Sequence, residues 1–215
     1  MDPETQRKMQ AVMLGGASSR YVLDPDALAR AAGAPLGPVL VELLRLACRL
    51  EPFRPWTAFD ALEINLTLLG GGEIDNRHSG KPEGLLPFLE TNVDLAYAGF
   101  FDEGRSLPLD QRPICFVCEG EARIVAANLA DFLSLAAIAG AMAIQADPPS
   151  DESWMAFRNE RLEAIEPARR LFEEASAHLC SLPGVQIPKR PSKLARARAD
   201  LIVVPSAADA DVEGA

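Results

Sequence analysis

The chain of 215 residues has the length of one sizeable domain, and its 48% hydrophobic and 24% charged residues are typical of a soluble globular protein. Its formal net charge of −10 argues against direct nucleic-acid binding, which needs a basic surface. No apolar run reaches membrane-spanning length, and the N-terminal MDPETQRKMQ lacks the apolar core of a signal peptide. We therefore expect a cytoplasmic protein without membrane contact.

The first part of the chain is expected to be helical. Asp24 is a good N-cap, Pro25 suits the first helical position, and Gly33 suits the end of that helix. A second helix is predicted from about residue 38 to 49, because its apolar residues recur at helical spacing. The segment 61–69, ALEINLTLL, alternates partly and predicts a strand, although a helix is an alternative.

From Leu85 the apolar pattern changes to a period of two, which is typical of strands. In residues 93–101 one set of alternate residues is apolar, as in an antiparallel strand with one packed face. ICFVC, residues 114–118, is apolar throughout and predicts a central strand, and ARIVA, residues 122–126, predicts its hairpin partner. Asn128 is the predicted N-cap of the following helix, which is apolar and is expected to pack on the sheet.

The C-terminal part is predicted to add a helical layer. The segment Asp147-Pro148-Pro149-Ser150 interrupts the helical pattern. Ser150 then begins an amphipathic helix, which Pro167 either kinks or divides into two. We expect a core at 1–146, a helical extension with a basic segment at 147–204 packed on the same domain, and a disordered acidic tail at 205–215. Leu201–Val204 is a candidate edge strand. The whole is an α+β fold, with a mostly antiparallel sheet of about four to six strands between N-terminal and C-terminal helices.

The cysteines and histidines do not form a recognisable catalytic or metal-binding set. Cys115 and Cys118 have CxxC spacing, but residues three apart on a strand point to opposite faces and do not readily share a metal ion. His78 and His178 have no partner at a ligand spacing. We therefore predict no catalytic residue, no metal and no cofactor.

The carboxylates are concentrated in the strand-rich segment. Residues 73–131 carry 11 acidic and 5 basic residues, a net charge of −6. Clustered charge of one sign steers and orients an oppositely charged partner. A solvated surface and a catalytic carboxylate pair are the alternatives. The candidate partner-binding residues are Glu90, Asp94, Asp102, Glu103, Glu119 and Glu121.

The same segment carries a resemblance to a known family. LPFLETNVDLAYAGFF, RPICFV and ARIVAANLADFLSLAA resemble the strand pair, the central strand and the strand-to-helix hallmark of the SUKH superfamily, over about residues 85–140. Asn128, Asp131, Phe132 and Leu133 stand at the matching places of the hallmark. That family includes bacterial immunity proteins that neutralise nuclease toxins and a yeast regulator of cell-wall synthesis. Thr91-Asn92-Val93 replaces its expected glycines, and residues 150–182 have no counterpart in it.

The resemblance and the charge together lead to one functional expectation. We expect the protein to be a non-enzymatic bacterial protein-binding module, which binds a basic partner, such as a nuclease toxin domain, through an acidic sheet surface. A small carboxylate-dependent hydrolase and an oligomeric scaffold, including a homodimer, are the alternatives. The basic stretch from Lys189 to Arg198 could also pair with the acidic sheet within the chain.

Overall fold

A computed structural model of the chain describes residues 20–70, 82, 84–91, 96–102, 106–118 and 121–196. Four strands form an antiparallel sheet in the order β1-β2-β3-β4, with helices before and after it in the chain. The predicted α+β class is therefore confirmed. Within the described ranges, none of the helices has both the length and the apolar character that crossing a membrane requires.

The N-terminal helices begin and end as the sequence predicts. Helix α1, Pro25–Ala32, starts at Asp24, whose Oδ1 accepts a hydrogen bond from the Ala27 N–H at 2.9 Å. It ends at Gly33, which takes φ 66°. Helix α2, Pro38–Leu50, buries a stripe of apolar residues in the core: Leu40, Leu43, Leu44, Leu46 and Ala47.

The predicted strand at 61–69 is wrong. The chain makes short 3-10 turns at Pro55–Thr57 and Asp60–Leu62, and then helix α3 at Thr67–Gly70. Extended pairing is limited to two isolated bridges, Phe59 with Ile64 and Asn65 with Glu90. Glu63 takes φ 59°, which interrupts any continuous strand. The alternation in the sequence instead reflects an irregular segment whose apolar side chains, Leu62, Ile64 and Leu66, are all buried.

The sheet is a meander of four strands: β1, Leu85–Glu90; β2, Tyr97–Phe101; β3, Ile114–Cys118; and β4, Glu121–Ala126. Strand β3 pairs with both β2 and β4, so its predicted central position is confirmed. Residues 92–95 of the strand predicted at 93–101 lie outside the described residues.

Both faces of the sheet are apolar and buried. Phe88, Phe100 and Phe116 belong to the main core on the helix-covered face, where the rings of Phe88 and Phe100 stack with centroids 4.4 Å apart. On the opposite face a second cluster contains Leu85, Tyr97, Cys115, Val117, Ala122 and Ile124. The expectation that β2 packs on one face alone is therefore wrong, because alternate residues of β2 enter two different clusters.

Helix α4, Leu129–Ala139, forms the centre of the core. It begins at Asn128, whose Oδ1 accepts a hydrogen bond from the Asp131 N–H at 2.9 Å, which confirms the predicted cap. Helix α5, Ala141–Ala146, follows directly after Gly140. Since α4 is buried around most of its circumference, it needs partners on the side away from the sheet.

The C-terminal helices supply those partners. Helix α6 spans Asp151–Glu163, α7 spans Ala168–Cys180 and α8 spans Pro191–Arg196, so the chain begins a new helix after Pro167. The Ser176 hydroxyl of α7 donates to the Ala137 carbonyl of α4 at 2.7 Å. Arg158 of α6 donates to the carbonyls of Ala137 and Ile138. The candidate strand Leu201–Val204 and the tail 205–215 lie outside the described residues.

Candidate functional site

The six candidate partner-binding carboxylates lie at the ends of the sheet or outside the described residues. Glu90 is the last residue of β1, Glu121 is the first residue of β4, and Asp102 follows β2. The other three, Asp94, Glu103 and Glu119, fall outside the part of the chain that the structure describes.

Glu90 and Glu121 are at the same end of the sheet. The register pairs Glu90 with Tyr97, Tyr97 with Val117, and Val117 with Ala122, the neighbour of Glu121. Three strand spacings separate the two edge strands, which is about 14 Å. Glu90 is half-buried and Glu121 is exposed. Strands β1 and β3 both end here, and we call this end of the sheet the hairpin end. In the sequence, Asp94 and Glu119 belong to the connections that follow these two strands.

Asp102 lies at the opposite end of the sheet. Its carboxylate forms an ion pair with Arg112, with 3.2 Å between Oδ2 and Nη1. The three described candidates are therefore divided between two ends, and the flat faces between them are apolar. An acidic binding surface on this sheet would therefore lie at the ends of the strands and not on the faces of the sheet.

A pocket of about 300 Å³ lies at the hairpin end, lined by Phe116, Cys118, Glu121, Arg123 and Gln145. Four of these residues form two cross-strand pairs of the β3–β4 hairpin, Phe116 with Arg123 and Cys118 with Glu121. Gln145 comes from the last turn of α5. The hairpin and the end of α5 together form the walls of this hairpin-end pocket.

Arg123 connects the hairpin to the C-terminus of α5. Its Nη2 donates to the Ile144 carbonyl at 2.9 Å and to the Gln145 carbonyl, and its Nη1 is 3.4 Å from Asp147 Oδ2. A cation at a helix C-terminus satisfies carbonyls that have no partner within the helix. The guanidinium is thus engaged with α5 and the residue after it.

The two cysteines of the CxxC spacing point to opposite faces, as predicted. Cys115 is in the second cluster, on the sheet face opposite the main core, and burial raises the pKa of its thiol to about 12. Cys118 lies on the core side and lines the hairpin-end pocket, where its Sγ is 2.9 Å from Gln145 Nε2. The other amide atom, Gln145 Oε1, is buried and has no hydrogen-bond donor among the described residues.

The sequence interpretation missed two carboxylates with structural roles. Asp110 is 4% exposed, and its Oδ2 accepts a hydrogen bond from the Val39 N–H, in the first turn of α2, at 2.8 Å. Burial raises the pKa of Asp110, while hydrogen bonds from the backbone of Val39 and Leu40 oppose that shift. The sequence signal for this capping role was Gly37, because a glycine before a helix provides no capping side chain and the cap must come from another part of the chain.

Glu63 has the same role at α5. Its Oε2 accepts from the Met142 N–H at 3.0 Å, and its Oε1 pairs with Arg161 of α6. The residue before α5 is again a glycine, Gly140. Both helix starts therefore depend on a carboxylate from a distant part of the chain.

Among the described residues, no three His, Cys, Asp or Glu side chains come together as a metal site would need. The described carboxyl groups with a raised pKa are Asp60 and Asp110, and neither lines the hairpin-end pocket. Neither a scan against models of protein families nor a search of curated proteins finds a match to this chain.

Proposed function

We propose that the chain is a non-enzymatic protein-binding module of the SUKH immunity type, which binds a basic protein partner through carboxylates at the ends of its sheet. The observation that carries this proposal is Glu121, which is exposed at the hairpin end and has no ion-pair partner among the described residues. An unpaired exposed carboxylate remains available to a cation on another molecule, which favours association with a basic surface.

The charge of the strand-rich segment supports the same proposal. Residues 73–131 contribute −6 to the total of −10. Exposed charges of one sign raise the rate of encounter with an oppositely charged partner, and the effect weakens as salt screens the charges.

The described part of the basic stretch packs on the helical side of the molecule. Helix α8 contacts α6 and α4, and the Ser192 N–H donates to Asp151 Oδ1 at 2.9 Å. This placement supports a partner in trans for the carboxylates at the hairpin end.

Co-expression with the products of neighbouring genes tests this proposal. We expect one of them, a protein with a basic surface, to co-elute with the chain on size-exclusion chromatography. The triple variant Glu90→Gln, Asp102→Asn, Glu121→Gln should weaken that complex. The matched control, Glu160→Gln, Glu163→Gln, Glu173→Gln, removes three exposed carboxylates of α6 and α7 and should leave it intact. Co-elution with none of these products, or equal loss in both variants, would contradict the proposal.

An oligomeric scaffold is a second candidate, because apolar side chains are exposed on α6, on α7 and on the link between them. Ile165 is 84% exposed, Leu171 48% and Met155 42%. A contiguous patch of exposed apolar side chains is typical of interfaces between subunits. Light scattering on the eluting peak measures the oligomeric state. A dimeric wild type together with a monomeric double variant, Ile165→Ser with Leu171→Ser, supports this candidate, and a monomeric wild type excludes it.

A further inference from the structure

We infer that residues 201–204, LIVV, pack over the second cluster of the sheet, on the side of β4. These residues follow the described part of the chain. Such a contact would close the sheet face opposite the main core, and it would leave the ends of the strands as the part of the sheet that is open to a partner.

The second cluster is buried, although the described residues provide no layer over it. Among them it contains side chains of strands alone, whereas the described helices pack against the main core. Tyr97 of β2 is 2% exposed and Val117 of β3 is 4% exposed. A sheet face without a covering layer is open to water. Because these exposed fractions are those of one chain by itself, the cover belongs to the same chain.

The burial extends to β4, which is an edge strand of the described sheet. In the second cluster β4 places Ala122 and Ile124, which pair with Val117 and Cys115 of β3. Ala122 is 3% exposed and Ile124 is 8% exposed. A side chain on an edge strand has a neighbouring strand on one side only, so this degree of burial needs apolar groups on the other side. The covering segment therefore reaches the β4 edge.

The sequence offers two apolar stretches for this cover. Outside the described residues, four consecutive apolar residues occur at 11–14, AVML, and at 201–204, LIVV. Three of the four residues in LIVV are β-branched, and such side chains pack well on the surface of a sheet.

The N-terminal stretch precedes a part of the chain that lies on the β1 side. The Tyr21 N–H donates to the Pro52 carbonyl at 2.7 Å. The turns after Pro52 lead to Asn65, which forms a bridge with Glu90 of β1. Strands β1 and β4 are the opposite edges of the described sheet. The chain therefore enters the described structure at the edge away from β4, which disfavours residues 11–14 as the cover.

The C-terminal stretch follows a part of the chain that is connected to β4. The Ser192 N–H of α8 donates to Asp151 Oδ1 at 2.9 Å. Asp147, four residues before Asp151, pairs with Arg123 of β4 at 3.4 Å. The described chain ends four residues after Ser192, and each further residue can span about 3.3 Å when extended. Residues 201–204 are therefore within reach of the β4 edge.

Alkylation of Cys115 tests the inference in the whole chain. The variant Leu201→Ser, Ile202→Ser, Val203→Ser, Val204→Ser removes the apolar side chains of the stretch. We expect Cys115 of this native variant to react with iodoacetamide at least about tenfold faster than in the wild type, because the second cluster loses its cover. Peptide mapping by mass spectrometry assigns the modified thiol.

A control variant changes the other apolar stretch: Val12→Ser, Met13→Ser, Leu14→Ser. It should leave the rate at Cys115 unchanged. Hydrogen exchange of the α4 amides in both variants shows whether the main core opens, and this exchange should stay as slow as in the wild type.

Photocrosslinking decides the case in which the serine variant fails to fold. A benzophenone side chain in place of Ile202 or Val203 should form crosslinks to β3 or β4 from at least one of the two positions, and the same group at Val12 should form none there. Three results would overturn the inference. They are an unchanged Cys115 rate while α4 exchange is slow, an equal or larger rise in the control variant, and no crosslink from positions 202 and 203 to these strands.

Discussion

The carboxylate of Asp110 occupies the space in which any residue other than glycine at position 37 would place its side chain. A Cβ built on Gly37 would be 1.8 Å from Asp110 Oδ1. The backbone of Gly37 also takes φ 83° and ψ 159°, a conformation that only glycine adopts readily. The start of α2 thus depends on a glycine that makes room and on a distant carboxylate that caps the helix.

Gly37→Ala is predicted to destabilise the fold strongly. The backbone conformation and the displacement of Asp110 should together reduce the free energy of unfolding by about 2–5 kcal/mol. Gly33→Ala is the matched control, since Gly33 has φ 66° but nothing within 4 Å of a built Cβ. It should cost about 1–2 kcal/mol, from the backbone alone. Urea denaturation measures both, and equal losses would contradict the role of Asp110.

Asp110 is predicted to make the stability depend on pH. Burial raises its pKa, so between the pKa of the unfolded chain and that of the native state the native protein binds more protons. The contribution of this residue to the free energy of unfolding therefore falls as pH rises through that range. Asp110→Asn keeps an acceptor for the Val39 N–H and removes the ionisation. The stability of wild type relative to this variant should decrease with rising pH, and an increase would be the contrary result.

Removal of the Glu63 carboxylate is predicted to lower the free energy of unfolding, because this carboxylate connects the start of α5 to α6. Glu63→Ala leaves the Met142 N–H and Arg161 without this acceptor and should cost about 1–3 kcal/mol. Glu63→Gln keeps an acceptor for Met142 and loses the charge that pairs with Arg161, so its cost should be smaller. Thermal denaturation of the two variants ranks them, and a glutamine variant as unstable as the alanine variant would show that the ion pair dominates.

Cys115 is predicted to be unreactive in the native protein. A pKa of about 12 leaves little thiolate near neutral pH, and the residue is fully buried. Alkylation of Cys115 by iodoacetamide should be slower in the native than in the denatured chain by on the order of 1000-fold. Peptide mapping by mass spectrometry identifies the modified site, and a native rate close to the denatured rate would refute this placement.

The sequence predicts the elements whose signals are local. Asp24, Gly33 and Asn128 mark helix ends through their own side chains or backbone conformations, and the structure places those ends there. ICFVC is apolar throughout because alternate residues of β3 pack in the main core on one face of the sheet and in the second cluster on the other. In these cases the residue and the structure it determines are within a few positions of each other.

Features that depend on distant residues are not visible in the same way. The caps of α2 and α5 come from Asp110, 71 positions from Val39, and from Glu63, 79 positions from Met142. The hairpin-end pocket likewise combines β3 and β4 with Gln145 of a later helix. Of its lining residues Glu121 alone was among the candidates, because a carboxylate at a strand end is visible in the sequence and its neighbours in space are not.

The salt dependence of partner affinity tests the proposed function most directly. The dissociation constant of the complex with the co-eluting gene product is measured over a series of salt concentrations, for the wild type and for the variant with neutral residues at Glu90, Asp102 and Glu121. The proposal predicts an affinity that falls as salt rises in the wild type, and both a weaker affinity and a shallower salt dependence in the variant. Equal affinities with the same salt dependence in both proteins would contradict it.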